Sequence, residues 1–213
     1  MQVAERVSRA SGVEQVVIAS TDQWQDRPIV LFGRDNHLLV FRGSEEDVLG
    51  RVTKAAQLVK ADIIVDITGD CPLIDRAHID HIVESCHAGH SYASNVNPRS
   101  WPDGFDVQAY SIELLEHANE VVVGGELRSH VGWNIANLII GEEYPNYSAT
   151  SEFAYPKWGL TLDTQADLRL LKIIFEYFGH NHFTAEDVIS FLKRCPELLE
   201  VNKRITRKKA GEG

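Results

Sequence analysis

The sequence predicts an α/β fold in which a mainly parallel sheet is covered by helices on both faces. Short runs of β-branched and other apolar residues alternate with segments whose apolar residues recur at helical spacing. The chain has 213 residues, of which 44% are hydrophobic and 24% charged, so it is long enough for one globular domain with a full-sized core. We therefore expect a single domain over residues 1–202, followed by a basic, flexible tail over residues 203–213.

The first part of the chain is predicted to supply three strands and two helices. Residues 1–10 are expected to be helical because Val3, Val7 and Ala10 fall on one face. Short, continuous apolar runs predict three buried strands, at residues 16–19, 38–41 and 63–67. The apolar residues of 48–59 recur at helical spacing, so this helix is expected to lay one face on the sheet.

The second part is predicted to be mainly helical. Amphipathic patterns favour five further helices, at residues 76–88, 111–121, 126–140, 165–178 and 184–194. Thr164 and Asp167 have the spacing of a capping box at the start of the fourth of these helices. Residues 159–162 are expected to form a short strand just before it.

Charge and cysteine content argue against several classes of protein. With 31 acidic and 21 basic residues, the net charge of −10 argues against a nucleic-acid-binding protein. An acidic protein that binds a polyphosphate needs a divalent cation or a few well-placed basic residues, so we expect a metal. The three cysteines lack disulfide or zinc spacing, and no apolar run suits a signal peptide or a membrane span. We therefore expect a cytoplasmic protein without a membrane partner.

Two aspartates directly follow predicted strands. Asp70 stands after strand 63–67, beside Gly69, which allows a close approach to the backbone, and Asp163 follows strand 159–162. In open parallel sheets, ligands bind at the carboxyl ends of the strands. Two carboxylates there would suit magnesium held between the protein and phosphates. The alternative is that both aspartates only satisfy backbone amides in turns.

Four segments, in order, carry a resemblance to a known family. They are residues 41–51 (FRGSEEDVLGR), 67–75 (ITGDCPLID), 101–107 (WPDGFDV) and 160–164 (LTLDT). They resemble the spore-coat polysaccharide biosynthesis cytidylyltransferases, which are similar to the acylneuraminate and Kdo cytidylyltransferases and have the nucleotide-diphosphosugar transferase (glycosyltransferase-A) fold. The resemblance covers nearly the whole chain. It implies transfer of CMP from CTP to a sugar or sugar-acid hydroxyl, with release of pyrophosphate, in surface polysaccharide or glycan biosynthesis.

The resemblance also implies roles for individual residues. Asp70 and Asp163 would be the catalytic residues and would hold magnesium. The residues expected to contact the nucleotide are Gly43, Ser44, Asp47, Gly69 and Asp70. The residues expected to contact the acceptor are Asp106, Arg128 and His130. Dimers are common in the resembled group, so a homodimer is expected.

Several of these residues also have a purely structural interpretation. Ser44 and Asp47 could serve only to cap helix 48–59. Asp106 and Arg128 could form a salt bridge with each other instead of contacting the acceptor. Arg51 is expected either to pack on its helix or to pair with Asp47 one turn before it.

The start of the chain departs from the family pattern. The family normally begins with a strand and a loop of the type GSTRLPGK, whose Arg and Lys bind the triphosphate, and nothing before Met1 could supply them. The expected fold is therefore an N-terminally truncated version of the family fold. Two function classes stay open: a CMP-transferring enzyme, or a non-catalytic paralogue that binds nucleotide or forms oligomers.

A group of histidines offers a different kind of site. His78 and His81 share a helix face, as half of a zinc site would require. Cys86, His87 and His90 follow them. No acid–histidine spacing of a metallohydrolase accompanies the group, so we interpret it as a solvated helix face and turn.

Overall fold

The structure is a computed structural model that describes residues 2–124, 127–203 and 205. Its strands are β1 (Val17–Thr21), β2 (Leu39–Gly43), β3 (Ile63–Asp66), β4 (Tyr92–Ser94) and β5 (Gln108–Ser111). Its α-helices are α1 (Gln2–Val7), α2 (Arg27–Asp35), α3 (Val48–Val59), α4 (Arg76–His87), α5 (Ile112–Val121), α6 (Val131–Leu138), α7 (Gln165–Phe178) and α8 (Ala185–Arg194). Three short 3₁₀ segments cover Trp24–Asp26, Leu127–Ser129 and Pro196–Val201.

The strands form two small sheets. Strands β1 and β2 pair in parallel, with Val17 opposite Leu39 and Thr21 opposite Gly43. The other sheet has the order β3-β5-β4. The three strands predicted at 16–19, 38–41 and 63–67 are confirmed within two residues at each end.

The described residues group into two compact units. The first unit contains residues 2–14, 65–109, 145–203 and 205. The second unit contains residues 15–64, 110–124 and 127–144. The single domain over residues 1–202 stays a prediction, and nearly all of the predicted basic tail, Arg204 and residues 206–213, lies outside the described residues.

In the first unit, α7 and α8 pack on the loops that carry the candidate site. Helix α7 begins with the predicted capping box, in which Thr164 and Asp167 bond each other's backbone amides, and it ends at Gly179, whose φ of 66° suits glycine. The helices bury one apolar face each against loop residues such as Leu73, Phe105 and Leu160. The same core that stabilises the helices therefore also holds the loops.

In the second unit, α3 packs against β1, β2 and α5 through a buried face. The predicted helix 48–59 is confirmed. Its N-cap is Asp47, whose side chain accepts a hydrogen bond from the Gly50 amide. The predicted helix 126–140 is wrong in its extent. A 3₁₀ turn and α6 replace it, because His130 adopts a non-helical conformation (φ −118°, ψ 81°) between them.

Sequence patterns missed α2, β4 and β5, and they overestimated α1, which ends at Val7. Strands β4 and β5 have only three and four residues, so no periodicity was available to reveal them. Within the described part of the chain, no helix has both the length and the apolar character that spanning a membrane requires.

Candidate active site

Asp70 lies in a tight turn that follows strand β3 in the first unit. The Cys71 amide donates to the Thr68 carbonyl across 3.2 Å, which closes the turn and leaves Asp70 half-buried. A Cβ added to Gly69 would meet no atom within 4 Å, so the space beside Asp70 is open. Asp70 therefore stands just beyond a strand end, where the sequence pattern placed it.

The segment that precedes Asp163 joins this turn to a second loop. The Leu162 amide donates to the Asp70 carbonyl across 2.8 Å, which brings the backbones next to Asp70 and Asp163 together. Two residues earlier, the Leu160 amide donates to the Asp103 carbonyl across 2.7 Å. The predicted strand 159–162 is wrong, because the segment changes partner from Asp103 to Asp70 and forms only one bridge, between Asp103 and Gly159.

Gly104 makes the approach of these two segments possible. Its φ of 113° lies in the region that favours glycine, and an added Cβ would lie 2.7 Å from the Leu160 carbonyl carbon. Any other residue at this position would push the two segments apart. The close contact with Leu160, in the segment before Asp163, therefore explains why glycine follows Asp103.

Asp106 forms an ion pair on the same loop. The two Nη atoms of Arg99 donate to its two carboxylate oxygens across 2.6 and 2.5 Å, and Asp103 lies 3.5 Å from the guanidinium. Of the two interpretations of Asp106, the structural one holds with a different partner, because the salt bridge is made with Arg99. Burial opposes the charge of Arg99, but Asp106 and Asp103 outweigh it and raise the pKa of the guanidinium.

The buried Cys71 thiol lies beside the Asp70 carboxylate. Burial raises its pKa well above the usual range, and Asp70, Asp106 and Asp103 add to this effect. Three carboxylates from two loops thus act electrostatically on one buried point, 3.7 Å from an Asp70 carboxylate oxygen. Asp70 and Asp106 therefore lie near the same buried thiol, and the Leu162 backbone joins the segment before Asp163 to the Asp70 turn.

The donor chemistry of this region fits magnesium. Asp163 is exposed, and its carboxylate accepts a hydrogen bond from the Thr161 hydroxyl across 2.6 Å. Within the described residues no group of three or more His, Cys, Asp or Glu is placed to hold a metal. Magnesium is commonly bound through one or two carboxylates and completed by water and substrate phosphates, so the pair Asp70 and Asp163 suits it.

The other predicted site residues lie in the second unit, where Arg128 pairs with Asp47. The Arg128 Nε donates to the Asp47 carboxylate across 2.6 Å, and its Nη1 donates to the carbonyls of Asn119 and Val122 at the end of α5. The Arg128 hydrogen bond is the main cause of a lowered pKa at Asp47. His130, two residues after Arg128, is the N-cap of α6.

Ser44 and Arg51 both stabilise the loop before α3. The Ser44 hydroxyl accepts a hydrogen bond from the Asp47 amide across 3.1 Å, so it stabilises the turn that precedes the helix instead of capping it. The described hydrogen bonds of Arg51 go to the Ser44 and Glu45 carbonyls instead of to the Asp47 carboxylate. A Cβ at Gly43 would lie 3.1 Å from the Arg51 side chain, which explains the small residue there.

Two polar residues, Asn95 and His78, are buried beneath the site loop. Asn95 is 1% exposed and hydrogen-bonds the loop at Phe105 and Val107. His78 is also 1% exposed and packs 4.2 Å from the Trp101 ring, so the expected solvated face is wrong for this histidine. Nothing in the pattern around Asn95 could have indicated its contacts.

Comparisons with known proteins give the context of these residues. The model of the cytidylyltransferase family matches residues 2–118. The spore coat polysaccharide biosynthesis protein SpsF of Bacillus subtilis is 27% identical over 187 residues, which cover 86% of this chain and 77% of SpsF. A 3-deoxy-manno-octulosonate cytidylyltransferase of Pelobacter propionicus is 36% identical over 81 residues, which cover 38% of this chain and 31% of that enzyme.

A solved structure resembles the whole chain. A cytidylyltransferase from Leptospira borgpetersenii superposes with a TM-score of 0.85 at 28% identity, and the match covers 98% of this chain and 87% of the other. The α/β fold of a nucleotidyltransferase, predicted from the sequence, is therefore confirmed.

Proposed function

Because the chain belongs to the cytidylyltransferase family, we propose that it transfers CMP from CTP to a hydroxyl of a sugar or sugar acid and releases pyrophosphate. The observation that supports this most directly is the hydrogen bond from Leu162 to the Asp70 carbonyl, which sets two carboxylate-bearing turns side by side. The similarity to SpsF supports a place in surface polysaccharide or glycan biosynthesis.

Asp70 and Asp163 are the residues that would hold magnesium, and we propose that they are the catalytic pair. When bound, magnesium neutralises the charge of the phosphates, which nucleotidyl transfer requires more than covalent help. The chain's own contribution is to fix both carboxylates on short, hydrogen-bonded turns before the nucleotide arrives. Gly69 leaves the space beside Asp70 open for a phosphate oxygen.

The remaining predicted contacts divide between the two substrates. We propose that Gly43, Ser44, Asp47 and the start of α3 border the nucleotide, since a helix N-terminus offers amide donors. Asp106, held by Arg99, is proposed to accept a hydrogen bond from an acceptor hydroxyl, as a carboxylate readily does. We also propose that Arg128 and His130 contact the acceptor.

We further propose a cytoplasmic homodimer. All three cysteines are free thiols, which fits a reducing compartment. In the second unit, large apolar side chains are exposed around α5 and α6, with Val123 and Ile140 each 81% exposed. Exposed apolar side chains of this size favour contact with a second copy.

Binding of CTP in the presence of magnesium tests the catalytic pair. In isothermal titration of the full chain, Asp70→Asn and Asp163→Asn should each abolish magnesium-dependent binding of CTP, because each removes a charged oxygen ligand. Asp35→Asn removes an exposed carboxylate from α2 and should leave binding unchanged. Unchanged affinity in both site variants would refute the metal assignment.

Pyrophosphate release separates the enzyme from the non-catalytic alternative. The chain is incubated with CTP, magnesium and a panel of sugar acids, neutral sugars and amino sugars. Release that depends on one class of acceptor and is lost in Asp70→Asn supports the transferase. Magnesium-dependent binding of CTP without release for any acceptor would instead favour a nucleotide-binding paralogue.

A further inference from the structure

The segment 159–163 is bound by a buried side chain from a distant part of the chain. Asn202 follows the 3₁₀ segment Pro196–Val201 in the first unit and is 8% exposed. Its Nδ2 donates to the Gly159 carbonyl across 2.9 Å and to the Asp167 Oδ1 across 2.8 Å. An amide NH₂ group has two protons, so these two acceptors use both of them.

The other carboxylate oxygen of Asp167 binds the end of the same segment. The Asp167 Oδ2 accepts hydrogen bonds from the Thr164 amide and hydroxyl, each across 2.8 Å, and from the Asp163 amide across 3.3 Å. Asp167 is 1% exposed, so these bonds form away from solvent. One buried carboxylate therefore joins Asn202, through one oxygen, to the backbone of Asp163, through the other.

The start of helix α7 does not account for all of these contacts. A capping box requires only the exchange of hydrogen bonds between Thr164 and Asp167. The bonds of Asp167 to the Asp163 amide and to Asn202 are additional, and Asn202 comes 35 residues later in the chain. Capping therefore leaves the contacts of Asn202 unexplained.

Between Gly159 and Asp163, the segment is bound to the turn that carries Asp70. The Leu162 amide donates to the Asp70 carbonyl across 2.8 Å. Asn202 acts before this contact, on the Gly159 carbonyl, and it acts after this contact through the buried carboxylate that holds the Asp163 amide. The backbone that carries the exposed Asp163 carboxylate is therefore fixed on both sides of its contact with the Asp70 turn.

We propose that Asn202 and Asp167 are positioning residues for Asp163. They hold its backbone so that its carboxylate is placed to bind metal together with Asp70 before the nucleotide arrives. The metal-binding role of Asp163 belongs to the function proposed above, on which this inference rests. Groups that orient a metal ligand typically contribute 10–100-fold to metal affinity or activity. The segment after α8 thus becomes a support of the metal site.

NMR of the wild-type chain tests the contacts without any variant. In ¹⁵N-labelled protein, both Nδ2 protons of Asn202 and the backbone amide proton of Thr164 should exchange slowly with solvent, because each is bonded to a buried or half-buried acceptor. The side-chain NH₂ group of the exposed Asn36 is the internal reference and should exchange faster. Equally fast exchange at Asn202 and Asn36 would overturn the proposal.

Asn202→Leu tests the effect on Asp163, because leucine has a similar volume but cannot donate a hydrogen bond. The backbone amide shifts of Asp163 and Thr164 should change, and the Kd of CTP in the presence of magnesium should rise about tenfold or more. A higher magnesium concentration should recover part of this loss, since mass action compensates for a weakened metal site. Asn202→Ser keeps one donor and should give an intermediate Kd.

Ile82→Ala is the matched control for a loss of stability alone. Ile82 is 0% exposed on α4, and its apolar side chain cannot hydrogen-bond the Asp163 turn. The control should lower the Tm, but its Asp163 amide shift and its magnesium dependence should match those of the wild type. If Asn202→Leu also lowers the Tm while leaving both properties at their wild-type values, Asn202 is only structural and the proposal is overturned.

The failure of this inference and the failure of the proposed function can be told apart. If the wild type does not bind CTP with magnesium, the proposed function fails, and the amide shifts still decide whether Asn202 positions the Asp163 turn. If the wild type binds CTP and Asn202→Leu binds it equally well, the inference fails and the proposed function stands. If Asn202→Leu does not fold, Asn202→Ser and the wild-type exchange rates decide.

Discussion

The guanidinium of Arg6 fixes the chain that follows the Asp70 turn, and its removal should destabilise the protein markedly. Arg6 is 4% exposed, although α1 is a short surface helix. Its Nε donates to the Ile74 carbonyl across 2.6 Å, and its Nη2 donates to the carbonyls of Phe183 (2.8 Å) and Leu73 (3.3 Å). Burial lowers its pKa to about 10, so it stays charged at neutral pH.

The size of the effect follows from these contacts. Hydrogen bonds to charged groups contribute about 1.5–3 kcal/mol each, so the two short bonds to Ile74 and Phe183 are worth roughly 3–6 kcal/mol together. Arg6→Met fills much of the same space and removes the cost of burying a charge, which offsets part of this loss. We expect a net loss of about 3 kcal/mol, which lowers the Tm by about 6–12 °C in a protein of this length.

Thermal and urea unfolding, followed by circular dichroism, measure this change. Arg34→Met is the matched control, because the Arg34 side chain is 72% exposed and pairs only with its neighbour Asp35 among the described residues. It should change the free energy of unfolding by less than about 0.5 kcal/mol. A Tm for Arg6→Met within about 2 °C of the wild type would refute the reasoning, because that shift corresponds to less than about 1 kcal/mol.

Two further predictions concern the second unit. The Arg128 hydrogen bond lowers the pKa of Asp47 below its usual 3.8, so the stability from this pair is present above that pH and is lost as the pH falls further. Arg128→Gln should therefore flatten the fall of the unfolding midpoint below about pH 4, and an unchanged slope would contradict the pairing. Strand β1 has one edge without a partner among the described residues, and residues 16–19 are half-exposed. Self-association of the chain should thus increase with protein concentration in sedimentation velocity. A single monomeric species at all concentrations would argue against association through the β1 edge.

The elements that the sequence predicted well are those with local signals at both ends. Helix α7 has a Thr–Asp capping box, a buried stripe at helical spacing, and a glycine in the left-handed conformation at its end. Each signal lies within a few residues of the helix itself, so no knowledge of the tertiary structure was needed. Strands β1 and β2 could be predicted for a similar reason, because each begins within a continuous apolar run, at residues 16–19 and 38–41.

The partners in the ion pairs could not be predicted from local sequence signals. Asp106 pairs with Arg99, seven residues earlier, and Arg128 pairs with Asp47, 81 positions earlier in the chain. Both aspartates and both arginines are common surface residues, and any of the four pairings satisfies their charges. Only the folded backbone decides which carboxylate lies within 3 Å of which guanidinium.

The placement of Asp70 and of the segment before Asp163 also depends partly on local signals and partly on distant contacts. That Asp70 follows a strand could be predicted from the apolar run before it. The contact between the Leu162 amide and the Asp70 carbonyl has no local pattern and depends on distant residues. Gly104 permits the approach, Asn95 holds the loop from below, and Arg6 fixes the carbonyls just beyond Asp70. Each of these residues acts on the backbone of a distant segment, so its effect depends on contacts across 10 to 177 residues of chain. In the proposed function the carboxylates hold the metal, and the loops that carry them are held by polar and small residues that contact backbone groups. Variants of these supporting residues should therefore impair CTP binding only by displacing the carboxylates. Because the same variants also destabilise the fold, stability and CTP binding must be measured together.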